Sequence, residues 1–447
     1  MLVVRSNRII LPEGERSAAL HIRNGVIERI VEYASEDPTG AGVFNVPDLV
    51  VSPGIVDTHV HINEPGRTEW EGFDTATRAA AAGGVTTLVD MPLNSVPATT
   101  TVTSLHAKIE AARAQCHVDV GFWGGVVPGN AGDLDPLVDA GVRGFKCFLV
   151  PSGVDEFPAV NESDLRIALP ILARRKVPLL VHAEEPSRIT HPTHPTYQSY
   201  LASRPPSSEL EAIRLMVRLA EEFRTPVHIV HVSSTEGVEA IASAKAAWVP
   251  ITAETCPHYL TFAAGDIPDG ATLFKCAPPI REAAHRDALW RGLENGALDM
   301  IVTDHSPAPP ALKTPGDFVH AWGGIASLEL SLAATFTSLR SQVSSLRIET
   351  SDLSVLCLLA RWMSAAPAAL AGLGERKGRI AVGYDADLVV WDPDVDFVVE
   401  PAQLHQRHKL TPYAGRSLFG TVLTTFVRGE RVWDKGRLTR AYGGRML

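Results

Sequence analysis

Eight short runs rich in β-branched and apolar residues, flanked by Gly or Pro, recur between residues 55 and 305 of this 447-residue chain. The runs are "IVDTHVHI" (55–62), "GVTTLVD" (84–90), "HVDVGFWGGVV" (117–127), "VRGFKCFLV" (142–150), "VPLLVHA" (177–183), "PVHIVHV" (226–232), "WVPITAE" (248–254) and "LDMIVTDH" (298–305). Strands that alternate with helices are joined by right-handed crossovers into a parallel sheet, and eight such strands close a barrel. The sequence therefore predicts an α/β fold with a TIM-like (β/α)8 barrel.

Two segments between these runs have the apolar spacing of amphipathic helices. Residues 101–115 and 208–223 repeat apolar side chains at three- and four-residue steps. Ser208 and Glu211 have capping-box spacing, which predicts that the second helix begins there. An open doubly wound sheet is the alternative for the same alternation, but the first βα turn lacks G-x-G-x-x-G and no P-loop sequence occurs. We therefore favour the barrel.

The two ends of the chain differ from its middle. Residues 1–52 alternate short strand candidates with turn residues, and residues 378–442 do the same. Each end alone is small for a stable domain. We expect one smaller β-sandwich domain formed from residues 1–52 plus 371–447, with the barrel in residues 53–370 between them.

Composition excludes several classes of partner. The 41 basic residues are outnumbered by 51 acidic ones, giving a formal net charge of −10, and no basic run could follow a nucleic-acid backbone. No apolar span is long enough to cross a membrane, and the amino terminus lacks a signal-peptide core. The five cysteines include no CxxC pair, which is typical of reduced thiols. We expect a soluble, cytoplasmic protein that binds neither nucleic acid nor membranes.

Five polar side chains stand at the ends of predicted barrel strands. His59 and His61 are two residues apart in the first run, so both point to the same face. His182, His231 and Asp304 end the fifth, sixth and eighth runs, at the carboxyl rim where barrel active sites lie. Each alone could be a hydrogen-bonded core histidine or a capping aspartate. Together, four imidazoles and a carboxylate at one rim predict a divalent-metal site.

Lys146 lies inside the apolar fourth run. A buried, unpaired ammonium costs several kcal/mol, so this amine is expected to be paired, deprotonated or modified. The alternative is a lysine whose charged end reaches the rim. Beside four histidines and two divalent cations, a neutral amine could capture carbon dioxide as a carbamate that bridges both metals. Two cations with these ligands keep a residual positive charge that suits stabilising an oxyanion.

These six residues resemble the metal-dependent amidohydrolase superfamily, in particular its cyclic-amidohydrolase branch of dihydroorotases, hydantoinases, dihydropyrimidinases and allantoinases. The resemblance implies that His59, His61 and Asp304 hold the more buried of two divalent ions, expected to be zinc. His182 and His231 would hold the more exposed ion. It further implies an N-carboxylated Lys146 as the bridge, Asp304 as the catalytic acid–base group, and a homotetramer.

Local markers separate the members of this branch. Dihydroorotases carry an arginine two residues after the histidine pair, where this chain has Asn63, which argues against an acidic ring substrate. Hydantoinases and dihydropyrimidinases carry a tyrosine five residues after the bridging lysine, where this chain has Pro151. A proline cannot donate the hydrogen bond that the phenol gives to the oxyanion.

Seven segments resemble the allantoinase subgroup in the expected order. They are "HINEPGRTEWEGF", "DMPLNS", "GFKCFLVPSGVDEF", "KCAPPIR", "DHSPAPP", "WGGIASLELSL" and "RHKLTPYAGR". The resemblance implies hydrolysis of allantoin, a neutral small molecule, to allantoate in purine (ureide) catabolism. We expect Asn94, Ala277, Gly323 and Gly324 to hold this substrate, although the glycines are equally expected in a tight loop.

Two other interpretations stay open at this point. One is a hydantoinase or dihydropyrimidinase with relaxed ring specificity. The other is a non-catalytic scaffold of the same fold, which is disfavoured because all six ligand positions are filled.

Overall fold

The computed structural model describes residues 1–346, 354–439 and 442–447 of the chain. The amino-terminal strands are β1 (Leu2–Leu11), β2 (Gly14–Arg23), β3 (Val26–Glu32), β4 (Gly42–Asn45) and β5 (Val50–Pro53). The central strands are β6 (Ile55–Val60), β7 (Val85–Asp90), β8 (Asp119–Phe122), β9 (Gly124–Gly125), β10 (Phe145–Phe148), β11 (Leu179–His182), β12 (Val227–Ile229), β13 (Ile251–Thr255) and β14 (Met300–Ile301). The carboxyl-terminal strands are β15 (Leu388–Val398), β16 (Ser417–Val427), β17 (Glu430–Asp434) and β18 (Arg437–Leu438).

The helices lie mainly between the central strands. They are α1 (Phe73–Ala82), α2 (Val102–Ala112), α3 (Ala131–Asp139), α4 (Glu162–Arg175), α5 (Tyr197–Ser203), α6 (Pro206–Phe223), α7 (Thr235–Ala246), α8 (Pro257–Thr261), α9 (Ala283–Glu294), α10 (Ser331–Leu346), α11 (Val355–Ala360) and α12 (Ala366–Leu370). Within the described ranges, none of these helices combines the length and apolar character needed to cross a bilayer.

The central strands form a closed parallel barrel, as the sequence predicts. Strands β6–β8 and β9–β14 are two parallel ladders. A parallel bridge between Val60 and His305 joins the first strand to the end of the eighth, and the N–H of His61 donates to the carbonyl of His305 at 2.8 Å. The predicted third strand is split between β8 and β9, and it is joined to the fourth where the N–H of Arg143, just before β10, donates to the carbonyl of Phe122 at 2.9 Å.

Helix α6 begins earlier than the capping-box spacing predicts. It starts at Pro206 after Pro205, because proline at the first turn needs no hydrogen-bond acceptor. The Ser208 hydroxyl instead donates to the carbonyl of Glu185. The predicted start at Ser208 with Glu211 was therefore wrong, although a helix over this segment is confirmed.

Both chain ends contribute to one nine-stranded mixed sheet. Its order is β18-β17-β16-β15-β5-β1-β2-β3, and β4 pairs with β1. The sheet bends around a hydrophobic core of its own, so that Phe44 on β4 contacts Phe426 on β16 with ring centroids 5.3 Å apart. This arrangement confirms the predicted β-rich unit built from both termini.

A buried ion cluster joins this sheet to the barrel. Lys377 is fully buried, and its Nζ lies 2.8 Å from Asp119 on β8 and 2.6 Å from Asp387 just before β15. Asp385 is 3.2 Å from the same Nζ, and Arg428 also pairs with Asp119. Because buried charges are stable only when they are paired, this cluster ties the base of the barrel to the terminal sheet.

Candidate active site

The carboxyl ends of the barrel strands carry six polar side chains into one space. His59 belongs to β6, Lys146 to β10 and His182 to β11. His231 and Asp304 follow β12 and β14, and both have left-handed backbone conformations, with φ of 41° and 46°. Such values are strained for residues other than glycine and recur at functional sites. These conformations end the strands and turn the two side chains toward the barrel axis.

Three of the histidines lie around the Asp304 carboxylate. Its Oδ1 lies 3.1 Å from Nε2 of His59 and 3.4 Å from Nε2 of His61. His59 and His231 have ring centroids 5.4 Å apart. One donor atom each from His59, His231 and Asp304 lie within 4.8 Å of one another. This spacing fits a divalent ion.

His182 and Lys146 lie beside these residues. The rings of His182 and His231 meet edge to face with centroids 4.6 Å apart. Phe148 stacks on His182 at 4.5 Å, and Nζ of Lys146 lies 5.0 Å from the centre of the Phe148 ring. The structure thus brings all six predicted ligand candidates to one rim.

Lys146 is fully buried, and its Nζ has no hydrogen-bond partner among residues 1–346, 354–439 and 442–447. Burial lowers the pKa of this amine to about 8, against the opposing charges of Glu254 and Asp304. A substantial neutral fraction of the amine therefore exists near physiological pH. A partnerless buried amine fits a residue that is to be modified or to bind a further group.

The histidines differ in their protonation. Burial lowers the pKa of His61, His182 and His231, which favours neutral imidazoles with a free lone pair. His59 lies between two carboxylates: burial alone would lower its pKa, but Asp304 and Glu254 raise it to about 9. Three of the four rings are therefore suited to ligation as they stand. The fourth is strongly oriented by acidic neighbours.

Glu254 is a site residue that the strand pattern did not single out. It is fully buried on β13, where its Oε1 contacts Nδ1 of His59 and its Oε2 lies 2.9 Å from Nε2 of His228. Nδ1 of His228 is in turn 2.8 Å from the Thr252 hydroxyl. Holding the Nδ1 proton of His59 leaves Nε2 to face Asp304 and the site interior. A charged residue inside an apolar strand was the available signal, the same one that identified Lys146.

Glu184 has the same relation to His182. Its Oε2 is 2.7 Å from Nε2 of His182, and it also accepts from the Arg204 guanidinium. Burial alone would raise the pKa of Glu184, but Arg204 and His182 lower it to about 2. The ionised carboxylate holds the proton of His182 on Nε2 and leaves Nδ1 for ligation. Glu184 is two residues beyond His182, so strand alternation could have placed both on one face.

A cavity of about 440 Å³ opens at this rim, and the four histidines and Asp304 line it. Its lining includes all four residues that the sequence predicts to contact substrate, namely Asn94, Ala277, Gly323 and Gly324. Gly324 has φ of 132°, and a Cβ there would lie 2.3 Å from the carbonyl oxygen of Ser306. The close approach of two backbones therefore requires glycine at this position. The cavity is the right size for a small ring compound.

Known proteins are similar to this chain in both sequence and fold. Residues 50–432 match the model of the amidohydrolase family. An allantoinase of Streptomyces avermitilis is 50% identical over 99% of this chain and 97% of its own length. An allantoinase of Arabidopsis thaliana is 43% identical over 97% of this chain and 88% of its own length. Among solved structures, an L-hydantoinase (dihydropyrimidinase) from Arthrobacter aurescens superposes with a TM-score of 0.93 at 31% identity, over 100% of this chain and 99% of that one.

Proposed function

The chain belongs to the amidohydrolase family, and from this membership we propose that it hydrolyses the hydantoin-ring amide of allantoin to give allantoate, in purine catabolism. The observation that carries the proposal is sequence identity over nearly the full length to relatives named allantoinase. This identity, 50% and 43% for the two relatives above, exceeds the 31% identity to the L-hydantoinase structure. A hydantoinase is the second candidate, favoured only by the likeness of fold. The chain is in either case a hydrolase of cyclic amide bonds.

Family membership implies a binuclear centre of divalent metal ions. The six rim side chains fit it, because they offer neutral imidazoles, an ionised carboxylate and a partnerless buried amine. We propose that His59, His61 and Asp304 hold one ion, His182 and His231 the other, and N-carboxylated Lys146 both; zinc suits this nitrogen and oxygen donor set. When bound, the ions would activate water and polarise the ring carbonyl.

Asp304 is the residue to which we assign proton transfer. Burial alone would raise the pKa of its carboxylate, but His59 and His61 hold that pKa well below its usual range. An ionised carboxylate beside the cavity can take a proton from the attacking water and return it to the ring nitrogen that leaves. The adjacent imidazoles keep its Oδ1 fixed.

The cavity walls suit a neutral, amide-rich ring. Among the described residues, the peptide N–H and C=O of Gly323 and of Ala277 have no protein partner, and both residues line the cavity. We propose that these groups and Asn94 hold the ring and the ureido arm of allantoin, with Gly324 fixing the backbone. Asn63 stands at the position that dihydroorotases fill with arginine. Its side-chain amide donates a hydrogen bond to the carbonyl of Pro307 at 3.4 Å. No guanidinium is therefore presented there to a substrate carboxylate.

The function is tested by a substrate panel of allantoin, hydantoin and dihydrouracil. We expect kcat/KM to be highest for allantoin, with allantoate detected by NMR. A preference for hydantoin or dihydrouracil would replace the proposal with the second candidate. A homotetramer in the cytoplasm stays a prediction, and sedimentation of the purified protein checks the subunit number.

Two variants test the proposed residues. Lys146→Ala is expected to lose bound metal together with activity, and Asp304→Asn to keep its fold while turnover falls by about 10²-fold or more. Metal content and circular dichroism are measured on both. The control is Asp396→Asn, which replaces an exposed carboxylate on β15 and should change neither the metal content nor the circular dichroism. Two metal ions per chain in Lys146→Ala would contradict the assigned bridge.

A further inference from the structure

One wall of the cavity is a short segment that two lysines hold by its backbone. We call residues 319–324, "VHAWGG", the wall segment. Nζ of Lys275 donates to the carbonyls of Val319 at 3.1 Å and Ala321 at 2.6 Å. Nζ of Lys313 donates to the carbonyl of Trp322 at 3.3 Å and to that of Gly324. Four of the six carbonyl groups of the segment are therefore fixed by two amines.

Both lysines are buried, and neither forms an ion pair with a described carboxylate. Their exposed fractions are 8% for Lys275 and 6% for Lys313, and no described carboxylate lies within 4 Å of either amine. Burial lowers the pKa of each amine to about 8. Burying an ammonium group without an anion costs stability, and hydrophobic packing could have filled these positions instead. A role in holding the wall segment accounts for their presence, since the carbonyls of Ala321 and Gly324 would otherwise be buried without a donor.

The same contacts leave the N–H and the C=O of one residue without a partner. The N–H of Gly324 donates to the carbonyl of Lys275 at 2.8 Å, and the N–H of Trp322 donates to the carbonyl of Leu312 at 2.7 Å. Within the described part of the chain, the N–H and the C=O of Gly323, which lies between these anchored residues, have no partner. Each of these two groups belongs to a peptide unit whose other polar atom is bonded, the Trp322 carbonyl to Nζ of Lys313 and the Gly324 N–H to the carbonyl of Lys275. Lys275 and Lys313 therefore set the orientation of the unpaired N–H and C=O.

We propose that Lys275 and Lys313 are positioning residues for the substrate, which hold the wall segment so that the unpaired N–H and C=O of Gly323 meet the neutral amide groups of allantoin. The inference rests on the proposed function for the identity of the substrate. Lys275 is further fixed by the face of Tyr200, 5.1 Å from its Nζ, whose hydroxyl donates to the carbonyl of Cys276 at 2.8 Å. Lysine, tyrosine and backbone therefore form one connected wall.

The first test needs no substrate. Hydrogen exchange is measured on peptides that cover residues 317–326 in the wild-type holoenzyme, in Lys275→Met and in Lys313→Met. We expect the amides of Trp322 and Gly324 to exchange about tenfold faster in both variants, as expected for the loss of one or two hydrogen bonds. Unchanged protection in both variants would overturn the proposal.

The second test separates positioning from catalysis. With allantoin, KM should rise about tenfold or more in either variant while kcat stays within about threefold and metal content is unchanged. The control is Lys245→Met on α7, which loses bonds to Asp299 and to the carbonyl of Gly296 away from the cavity. A fall in kcat at constant KM, or an equal KM change in the control, would overturn positioning. A wild type inactive on allantoin would refute the proposed function instead, and the exchange result would still decide whether the lysines hold the wall.

Discussion

Replacing Glu254 by glutamine tests how the metal centre is oriented. Glu254 is buried between two imidazoles, accepting from Nδ1 of His59 and, at 2.9 Å, from Nε2 of His228. Burial alone would raise its pKa, but His59 and His228 lower the pKa to about 2, so the native carboxylate accepts both protons. Glutamine has nearly the same shape but a single acceptor oxygen.

The expected loss of metal affinity follows because the glutamine amide cannot accept a hydrogen bond from both imidazoles. If its oxygen faces His228, its NH2 group faces Nδ1 of His59 and forces the proton of that ring onto Nε2, the atom nearest Asp304. If its oxygen faces His59, a neutral acceptor replaces a charged one, at a loss of about 1 kcal/mol or more. Loss of such an orienting partner typically lowers metal affinity by about 10–100-fold, or about 1.4–2.7 kcal/mol.

The assay is metal retained per chain during titration with a competing chelator, together with allantoin turnover at saturating metal. We expect the chelator concentration for half-loss to fall by about 10–100-fold in Glu254→Gln. Glu239→Gln, an exposed carboxylate on α7, is the matched control and should behave as the wild type. Equal metal retention by Glu254→Gln and the wild type would refute the view that Glu254 fixes the His59 tautomer.

Three further predictions concern the metal, the interdomain cluster and the thiols. Removal of divalent metal by a chelator should abolish allantoin hydrolysis while far-UV circular dichroism is retained, and added zinc should restore activity; turnover by metal-free protein would be the contrary result. Lys377→Met should destabilise the protein by about 3–5 kcal/mol in urea unfolding, because it leaves Asp387 buried without its cation, and adding Asp387→Asn should recover part of the loss. Burial raises the pKa of Cys147 and of Cys276 to about 12, so at pH 8 neither thiol should react with a disulfide reagent until the chain is unfolded. Rapid labelling of either thiol in the folded protein would show that they are not shielded in this way.

The barrel could be predicted because its strands have both faces covered. Strands β10 and β11 are buried at every residue, so they appear in the sequence as continuous apolar runs. Strand ends could not be predicted, because tertiary contacts decide them. The last run, predicted over 298–305, forms a strand at Met300–Ile301 and an isolated bridge at His305, and Asp304 between them has a left-handed conformation. The domain boundaries at residues 52 and 370 stay a prediction.

The site could be predicted as far as it depends on strand periodicity. Alternation and rim position pointed to His59 and His182, and an apolar run made Lys146 conspicuous. The partners of these residues come from distant parts of the chain: Glu254 is 195 residues from His59, and no local pattern pairs them. The start of α6 was missed for a related reason, because its Ser208 is used by a tertiary contact rather than by a cap.

Two sets of buried charged side chains orient the groups around the cavity, and substitutions in the two sets have different effects. On the metal side, carboxylates such as Glu184 and Glu254 orient imidazoles, and a change there alters ligand geometry and metal affinity. On the opposite side, Lys275 and Lys313 orient backbone, and a change there alters substrate contacts while the metal ligands stay in place. Variation of the wall can therefore change which cyclic amide is bound without rebuilding the hydrolytic centre. The chain shares its fold with a solved L-hydantoinase and about half of its sequence with a relative named allantoinase, so we expect differences in substrate to come from the wall rather than from the barrel.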